Sequence, residues 1–199
     1  MQLIAITTSV NYTDYLAWCL ESLSRVADGV CVVTEEHDSA IDACHRYGAT
    51  AIVYDGWDNK GAAFNKSGAI RHAQEKIHAA HPDAWYLLVD ADVVMNGDAR
   101  AIIEEHATDA DALYSARRVD YHTVEELRAG EPTKTYGSLF AGYFQLYRRH
   151  VLYPEWSRSA EGCDLAFVRQ FASCSMLPMV VGHLGREQVN WEGRRSPAW

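Results

Sequence analysis

The chain has 199 residues, of which 48% are hydrophobic and 23% charged, and its formal net charge is -9. A chain of this length can bury a substantial core, and this composition is ordinary for a globular protein. The acidic balance argues against a surface for duplex nucleic acid, and the sequence has no apolar run long enough for a transmembrane helix.

The start of the chain, "MQLIAITTSVNYTD", has no basic segment and becomes polar too early for a signal peptide. We interpret it as a first core strand. The five cysteines are scattered and form no C-x-x-C pair. This pattern predicts reduced thiols and a cytoplasmic setting, and it argues against a disulfide framework or a zinc site.

The first half of the chain alternates short apolar strands with helices. The predicted strands are "LIAITT", "GVCVVT", "TAIVYD" and "WYLLVD", and the helices between them are "TDYLAWCLESLSR", "SAIDACHRYG" and "AAFNKSGAIRHAQEKIHAA". Ser39 and Gly48 fit the two ends of the second helix. This alternation predicts βαβ units and an α/β fold with a mostly parallel central sheet flanked by helices.

The second half of the chain is less regular. It contains predicted strands in "DALYSARRV", "SLFAGYFQLYRR" and "MLPMVVGHLG", and a helix in "EGCDLAFVRQFA". A second short helix, "TVEEL", begins with a capping box of Thr123 and Glu126. No internal repeat or linker separates the two halves, so we predict a single domain over residues 1–199.

The segment 85–98, "WYLLVDADVVMNGD", ends a predicted core strand with two carboxylates, Asp90 and Asp92. In an extended chain residues i and i+2 point the same way, and ligands of such sheets bind beyond the carboxyl ends of the strands. Two adjacent carboxylates repel each other unless a cation or a proton lies between them. The pattern predicts a site for Mg²⁺ or Mn²⁺, which could neutralise a departing diphosphate. The alternative is that "DAD" only ends the strand.

With these segments the chain resembles the nucleotide-sugar-dependent glycosyltransferases of the GT-A fold, and most closely their family 2 type. The resemblance covers the first ~100 residues, a span within one domain, and rests on "AITTSVNYTDYLAWCLESL", "VVTEEHD", "GAAFNKSGAIRHA" and "WYLLVDADVVMN". It implies a single-domain, Rossmann-like GT-A fold. Residues 1–100 would bind the nucleotide sugar, and residues 101–199 would form the acceptor half and a C-terminal tail.

The resemblance also implies a donor site made of residues that follow the first four strands. These residues are Thr7, Thr8, Ser9, the loop from Glu35 to Asp38, Asp58, Lys60, Asn65, Lys66, Asp90 and Ala91. The resemblance makes Asp92 a metal ligand, with Asp90 on the ribose or a metal-bound water, and His183 completes the metal shell. A mixed carboxylate and imidazole set suits Mn²⁺ better than Mg²⁺. For Lys60 and Lys66 the alternative is simple surface solvation.

Inverting sugar transfer needs a base that takes the proton of the acceptor hydroxyl. In the family this carboxylate commonly opens a helix, and Glu161 and Asp164 in "SAEGCDLAF" are the candidates here. Asp164 is favoured because it directly precedes the apolar "LAF". Plain helix capping is the alternative for both residues.

The acceptor side is expected in "FAGYFQLYRR", where Gly142 would let a sugar approach the backbone and Tyr143 and Gln145 would line the pocket. A core strand with a glycine bulge is the alternative. Trp191 is a candidate for stacking on a base or sugar. The tail could also fold over the diphosphate with basic residues, namely Arg186, Arg194 and Arg195, unless it is simply solvated.

The predicted function is metal-dependent transfer of one sugar from a nucleotide-diphosphate donor, UDP-linked, to an acceptor hydroxyl. A nucleotidyltransferase is a weaker alternative, because "TTSVNYTDY" contains no glycine for a phosphate loop. The other alternative function is that of a nucleotide-sugar-binding module without catalytic activity. The missing Q-x-x-R-W pattern argues against processive synthesis. The acceptor stays open and includes a polymer or a modified nucleic acid, and the sequence does not indicate the oligomeric state.

Overall fold

The computed structural model of the chain describes residues 1–136, 140–185, 190 and 192–193. Its first half contains four strands, which are Leu3–Thr8 (β1), Gly29–Thr34 (β2), Thr50–Val53 (β3) and Trp85–Val89 (β4). They lie in the order β3-β2-β1-β4 and are paired in parallel. Strands β1 and β4 are covered on both faces of the sheet, and this explains why their sequences are nearly continuous apolar runs. All four predicted strands are confirmed.

The helices that connect these strands are Thr13–Leu23 (α1), Ala40–Tyr47 (α2) and Lys66–Ala80 (α3). Gly48 ends α2 in the left-handed conformation, with φ of 69°, as the sequence predicts. The other end differs, because the side chain of Ser39 makes no capping hydrogen bond. The carboxylate of Asp38 instead accepts the N–H of Ala40, at 2.7 Å.

The second half extends the same sheet. Its elements are Val93–Val94 (β5), Ala99–His106 (α4), Leu113–Tyr121 (β6), Val124–Ala129 (α5), Lys134–Tyr136 (β7), Phe144–Tyr147 (β8), Cys163–Val168 (α6) and Cys174–Leu184 (β9). The sheet formed by the described strands runs β3-β2-β1-β4-β8-β6-β9-β5, and β7 pairs with β6. Strand β8 is antiparallel to β4 and β6, whereas β9 is parallel to β6. The α/β class is therefore confirmed, with a parallel first half and a mixed second half.

Two local predictions in the second half have different outcomes. The capping box of α5 is confirmed, because Thr123 Oγ1 accepts the N–H of Glu126 at 3.1 Å and the Glu126 carboxylate accepts the N–H of Thr123 at 3.2 Å. The long strand predicted in "SLFAGYFQLYRR" is shorter, since only Phe144–Tyr147 is extended. Residues 141–143 form a bend and turn instead, and this turn brings Gly142 against α6.

The core lies on both faces of the sheet. Alternate residues of β1 point to opposite faces, so Leu3 and Ala5 pack with α1 and α2, whereas Ile4 and Ile6 pack with α3 and α6. The structure thus has the helix-covered sheet that the βαβ pattern predicts. Within the described ranges, no helix combines the length and the apolar character that a membrane crossing needs.

His78 lies in a buried polar cluster on the α3 face of the sheet. Its ring stacks on His150 with centroids 4.9 Å apart, and its Nε2 lies 3.3 Å from the hydroxyl of Tyr147. Burial, together with the nearby His150, lowers the pKa of His78 to about 4. A histidine whose pKa is lower in the folded than in the unfolded state stabilises the fold only while it is neutral. Its contribution is therefore complete above about pH 6.5 and is lost as the pH falls toward 4.

We expect the difference between the folded-state and unfolded-state pKa of His78 to appear in the pH dependence of the unfolding free energy. Between pH 7 and pH 5 the wild type should lose about 2 kcal/mol more unfolding free energy than His78→Gln, which cannot titrate there. Urea unfolding of both proteins at the two pH values measures this difference. An equal loss in both proteins would contradict the assignment.

Candidate functional site

Three buried hydroxyl groups lie at the carboxyl ends of β1 and β2. Thr7 Oγ1, Ser9 Oγ and Thr34 Oγ1 have no hydrogen-bond partner among the residues that the structure describes. Buried polar atoms usually have such a partner, and leaving one without costs about 1–3 kcal/mol. Thr7 and Ser9 belong to the predicted donor site, and Thr34 adds a third group. These hydroxyls are available to a polar ligand at this edge of the sheet.

Asp38 holds this edge of the sheet together through two backbone hydrogen bonds. One of its carboxylate oxygens accepts the N–H of Asn11 at 2.5 Å, and the other accepts the N–H of Ala40 at 2.7 Å. These bonds tie the loop after β1 to the start of α2. Asp38 therefore positions the loops, and its contact with ribose or base stays a prediction. Glu35 and Asp58, two other predicted donor residues, are exposed, and Thr8 is half-buried.

Lys66 lies beside carboxylates from both halves of the chain. It begins α3, next to Asn65, whose side chain caps the helix by accepting the N–H of Gly68 at 3.1 Å. The Nζ of Lys66 is 2.7 Å from Asp90 Oδ1 and 3.6 Å from Asp164 Oδ1, and the residue is only 6% exposed. Burial alone would lower its pKa, but Asp164 and Asp90 outweigh burial and hold the pKa of Lys66 well above its usual value.

The alternative of simple surface solvation is wrong for Lys66. For Lys60 it agrees with the exposed side chain. Lys66 is a buried cation between two carboxylates, so it is not a solvated surface group. Lys60 has a side chain that is 68% exposed and lies 3.9 Å from Glu155. It is part of a different cleft, on the outer side of α3.

Asp90 and Asp92 do not lie in one extended strand. Strand β4 ends at Val89 and residues 91–92 form a turn, in which the N–H of Val93 donates to Asp90 O at 3.1 Å. The turn gives the two carboxylates different partners. Asp90 contacts Lys66, whereas Asp92 Oδ2 accepts the hydroxyl of Tyr12 at 3.1 Å. The expectation of two parallel carboxylates is corrected accordingly.

His183 stands between two carboxylates because of the strand register. On β9 it is paired with Val93 of β5 on one side and with Asp120 of β6 on the other. Its Nε2 is 3.5 Å from Asp92 Oδ2, and its Nδ1 is 3.3 Å from Asp120 Oδ1. Burial alone would lower the pKa of His183, but Asp92 and Asp120 outweigh it and raise that pKa to about 9.

Asp120 is itself held in place. The guanidinium of Arg118 donates to both of its carboxylate oxygens, with Nε at 2.7 Å and Nη2 at 3.2 Å. The guanidinium and the carboxylate form a bidentate pair, and Asp120 is almost completely buried. Burial opposes ionisation of Asp120, but His183 and Arg118 lower its pKa to about 2. The cluster therefore contains two carboxylates, an imidazolium and a guanidinium.

The residues around Asp92 fit a shared metal site. Asp92 Oδ1 is buried and has no hydrogen-bond partner within the described part of the chain, and His183 Nε2 lies beside the other oxygen. Residues 1–136, 140–185, 190 and 192–193 contain no group of three His, Cys, Asp or Glu side chains that could hold an ion alone. Mg²⁺ and Mn²⁺ commonly take few protein ligands and complete their shell with phosphate and water oxygens. The donor set therefore fits such an ion only together with a ligand.

Asp164 is the second residue of α6 and faces Lys66. Its Oδ1 accepts the hydroxyl of Tyr153 at 2.9 Å and faces Lys66. Tyr153 also lies 2.5 Å from Gln145 Oε1, so the two residues form a buried support below the carboxylate. Glu161, the other candidate base, is exposed in the turn before the helix. Of the two candidates, only Asp164 lies near Lys66 and Asp90.

Gly142 packs directly against this carboxylate. A Cβ built at Gly142 would clash with both carboxylate oxygens of Asp164. The predicted role of Asp164 as a base implies that Gly142→Ala, which displaces its carboxylate, lowers turnover at least tenfold, because small misplacements of reacting groups are costly. The unfolding free energy should change by less than about 1 kcal/mol, since the group that must move is the end of a side chain.

A matched control for this prediction is Gly97→Ala. Gly97 lies in an exposed turn where an added Cβ would meet nothing within 4 Å. Turnover and urea unfolding of both variants measure the two effects. Full activity in Gly142→Ala would contradict the predicted role of Asp164 as a base.

The other acceptor-side predictions are partly corrected. Tyr143 is buried in the core, and its hydroxyl donates to Ala116 O at 2.7 Å, so it does not line a pocket. Gln145 is buried beneath Asp164. Gln145 lies inside because β8 is a central strand covered on each face, whereas Tyr143 lies in the turn that precedes this strand. Four residues predicted in the tail, Trp191, Arg186, Arg194 and Arg195, lie outside the described residues.

Several residues of the site are not among the sequence predictions. They are Tyr12, Thr34, Arg118, Asp120 and Tyr153. Tyr12 precedes α1, and its hydroxyl accepts from Asn190 Nδ2 at 2.6 Å and donates to Asp92. The sequence offers one usable signal, the charged residues Arg118 and Asp120 near the end of β6. The others are ordinary core or loop residue types.

Comparison with known proteins identifies the fold. No protein-family model and no curated protein matches the sequence. Among solved structures, the chain is similar to residues 1–349 of TarS from S. aureus, a GT-A glycosyltransferase solved with UDP-GlcNAc. The identity is 15% and the TM-score 0.65, over 99% of this chain and 62% of that one. The chain thus spans less than two thirds of the TarS fragment.

Two nucleotidyltransferases are also similar in structure. A 4-diphosphocytidyl-2C-methyl-D-erythritol synthase has 15% identity and a TM-score of 0.51, over 88% of each chain. A putative glucose-1-phosphate thymidylyltransferase from Bacillus anthracis has 11% identity and a TM-score of 0.51, over 87% of this chain and 85% of that one. The GT-A fold of the chain is confirmed, and it is a fold that these nucleotidyltransferases resemble.

Proposed function

We propose that the chain is a glycosyltransferase that moves a sugar from a nucleotide-diphosphate donor, UDP-linked, to an acceptor hydroxyl. The observation that carries this proposal is the position of Lys66, which contacts both Asp90 of the first half and Asp164 of the second. A donor-side carboxylate and a candidate base therefore lie within reach of one lysine. This juxtaposition suits a sugar held between donor and acceptor.

In this proposal the donor binds at the carboxyl ends of β1, β2 and β4. The hydroxyls of Thr7, Ser9 and Thr34 would bind the nucleoside. Asp92 with His183 would hold Mn²⁺ or Mg²⁺, and the imidazolium of His183 would lose its Nε2 proton when the ion binds. When bound, the ion neutralises charge on the leaving diphosphate. Tyr12 and Asp120 orient these two ligands, because Tyr12 donates its hydroxyl to Asp92 and the carboxylate of Asp120 lies 3.3 Å from Nδ1 of His183.

Asp164 is the proposed base in this reaction. Its Oδ1 faces Tyr153 and Lys66, while its Oδ2 has no hydrogen bond among the described residues and can take a proton. In an inverting transfer, the acceptor O–H proton moves to Asp164 as the acceptor oxygen bonds the anomeric carbon. The bond from that carbon to the diphosphate oxygen breaks, and its electron pair leaves with the nucleoside diphosphate.

A nucleotidyltransferase is the second candidate, and the two similar nucleotidyltransferase structures favour keeping it. It would cleave a nucleoside triphosphate and release pyrophosphate, so it would need groups for a third phosphate. The loop after β1 has no glycine between Thr7 and Tyr15 to let phosphates approach the backbone. A binding module without catalysis is the third reading, and it would not need Asp164.

Product analysis separates these functions. The protein is incubated with Mn²⁺ and a panel of UDP-sugars, and UDP release is measured; a parallel reaction contains UTP and sugar 1-phosphates, and pyrophosphate release is measured. UDP release that requires Asp164 supports glycosyl transfer, with water as the acceptor where no other is present. Pyrophosphate release alone would assign a nucleotidyltransferase. Tight UDP binding with neither product would assign the silent module.

Two further parts of the proposal concern setting and acceptor. All five cysteines are free, which supports a reducing, cytoplasmic setting. The acceptor is a hydroxyl compound, and a polymer or a modified nucleic acid remains within this class. The chain spans only part of the TarS length, so we also propose that acceptor binding involves more than the residues around Asp164.

A further inference from the structure

A second cleft lies on the outer side of α3, and two residues predicted for the donor site, Lys60 and Asn65, contribute to its lining. It has a volume of about 360 Å³ and lies between the loop after β3, the first half of α3 and residues 155–156. Its walls include Tyr54, Lys60, Arg71, Glu155 and Trp156. None of the three buried hydroxyls at the ends of β1 and β2 lines it. We call it the α3 cleft.

The floor of the α3 cleft is built for close packing. Asn65 Nδ2 donates to the hydroxyl of Tyr54 at 3.0 Å and to Gly56 O at 3.1 Å. Any Cβ at Gly68 would clash with the Tyr54 hydroxyl, so the helix needs glycine there. Asn65 is itself buried. These bonds fix the loop, and the cleft is therefore preformed.

The charges that line the cleft balance each other. Arg71 Nε lies 3.0 Å from Glu75 Oε1, and Lys60 Nζ lies 3.9 Å from Glu155 Oε1. Each cation thus has a carboxylate beside it in the same wall. A phosphate or another anion would have to compete with these carboxylates. The balance favours a neutral ligand with many hydroxyl groups, to which carboxylates, guanidinium and amide can hydrogen-bond.

Trp156 offers the apolar surface that such a ligand would need. Its only polar atom, Nε1, donates to Asn59 O at 2.8 Å, and the residue is 37% exposed. The ring is therefore held by its edge, and its remaining surface is apolar. A sugar ring has a C–H face and a rim of hydroxyls. An aromatic face framed by planar polar side chains complements both.

The cleft is connected to the proposed reaction centre through the start of α3. Asn65 Oδ1 accepts the N–H of Ser157 at 2.9 Å, and Ser157 Oγ accepts the N–H of Ser67 at 3.1 Å. The wall that carries Trp156 is thus tied to the helix turn that carries Lys66. We propose that the α3 cleft binds a neutral oligosaccharide. Under the proposed function, on which this last step rests, that oligosaccharide is part of the acceptor.

Nuclear magnetic resonance of the tryptophan indoles tests the binding. The chain has six tryptophans, and a Trp156→Phe variant assigns the Trp156 signal. The full-length protein is titrated separately with maltotriose, cellotriose, chitotriose and inorganic phosphate. We expect at least one trisaccharide to shift the Trp156 signal saturably, and Trp156→Ala to weaken its binding at least tenfold. Trp18→Phe, a matched change on α1, should leave the binding intact.

Two results would overturn the proposal: no shift with any of the three trisaccharides, or a saturable shift with phosphate alone. UDP affinity is measured on the same samples to keep the two proposals apart. Wild-type protein and Trp156→Ala should bind UDP equally. Trisaccharide binding without UDP binding would support the cleft and overturn only its role as an acceptor site. UDP binding without trisaccharide binding would overturn the cleft alone.

Discussion

Replacing Asp164 by asparagine is expected to lower turnover about a hundred- to ten-thousandfold, which is the usual contribution of a general base. Asparagine has the same shape, and its side-chain oxygen can still accept the hydroxyl of Tyr153, now at 2.9 Å from the carboxylate. It cannot take a proton from an acceptor. Affinity for UDP should change less than threefold, because Asp164 touches none of the proposed nucleoside or metal ligands.

Glu161→Gln is the matched control for this prediction, since Glu161 lies three residues earlier and is exposed. Its turnover should stay within about twofold of the wild type, as is usual for surface changes. Turnover and UDP affinity are measured for both variants. If the two variants lose activity equally, or if Asp164→Asn keeps full turnover, the base is another group.

Lys66→Met is expected to reduce the unfolding free energy by about 3 kcal/mol, the lower end for breaking a buried ion pair. The change removes the cation that lies 2.7 Å from Asp90 and 3.6 Å from Asp164. Methionine fills a similar volume, so packing is largely kept and the loss reports the unpaired carboxylates. Asp90 is partly exposed, and water there keeps the cost from being larger.

Two further variants sharpen this test, with urea unfolding as the measurement. Lys76→Met changes an exposed lysine of the same helix and should cost less than about 0.5 kcal/mol. Adding Asp164→Asn to Lys66→Met should restore part of the lost stability, because one of the two unpaired charges is removed. A loss in the double variant equal to the sum of the single losses would contradict the coupling between Lys66 and Asp164.

The regular part of the fold could be predicted because its signals are local. The four apolar strands and the helices between them are set by short-range periodicity, and a parallel sheet brings the carboxyl ends of its strands to one edge. Thr7, Ser9, Asp90 and Asp92 could therefore be expected there. Lys66 could also be expected near this edge, because it lies at the start of α3. That its side chain points inward could not be predicted, because the direction depends on the exact residue at which the helix begins.

The parts that escaped prediction depend on pairings between distant segments. Asp120 meets His183 only because β6 and β9 pair in one particular register. Tyr153 meets Asp164 because a loop packs under α6. Tyr143 was expected in a pocket, but the antiparallel pairing of β8 with β4 turns this part of the chain into the core. No local pattern in the sequence carries this information.

Calorimetric titration of the protein with UDP shows whether donor binding depends on a metal ion held by Asp92. The wild type is measured with Mn²⁺ and with EDTA, and the variants Asp92→Ala and Asp98→Ala are measured with Mn²⁺. Asp98 is the matched control, because it is an exposed carboxylate six residues after Asp92 and its side chain makes no capping bond. A donor site that depends on a metal ion at Asp92 predicts UDP binding by the wild type and by Asp98→Ala in Mn²⁺. This binding should be at least tenfold weaker with EDTA or in Asp92→Ala. Equal binding in all four titrations, or none in any, would contradict this prediction.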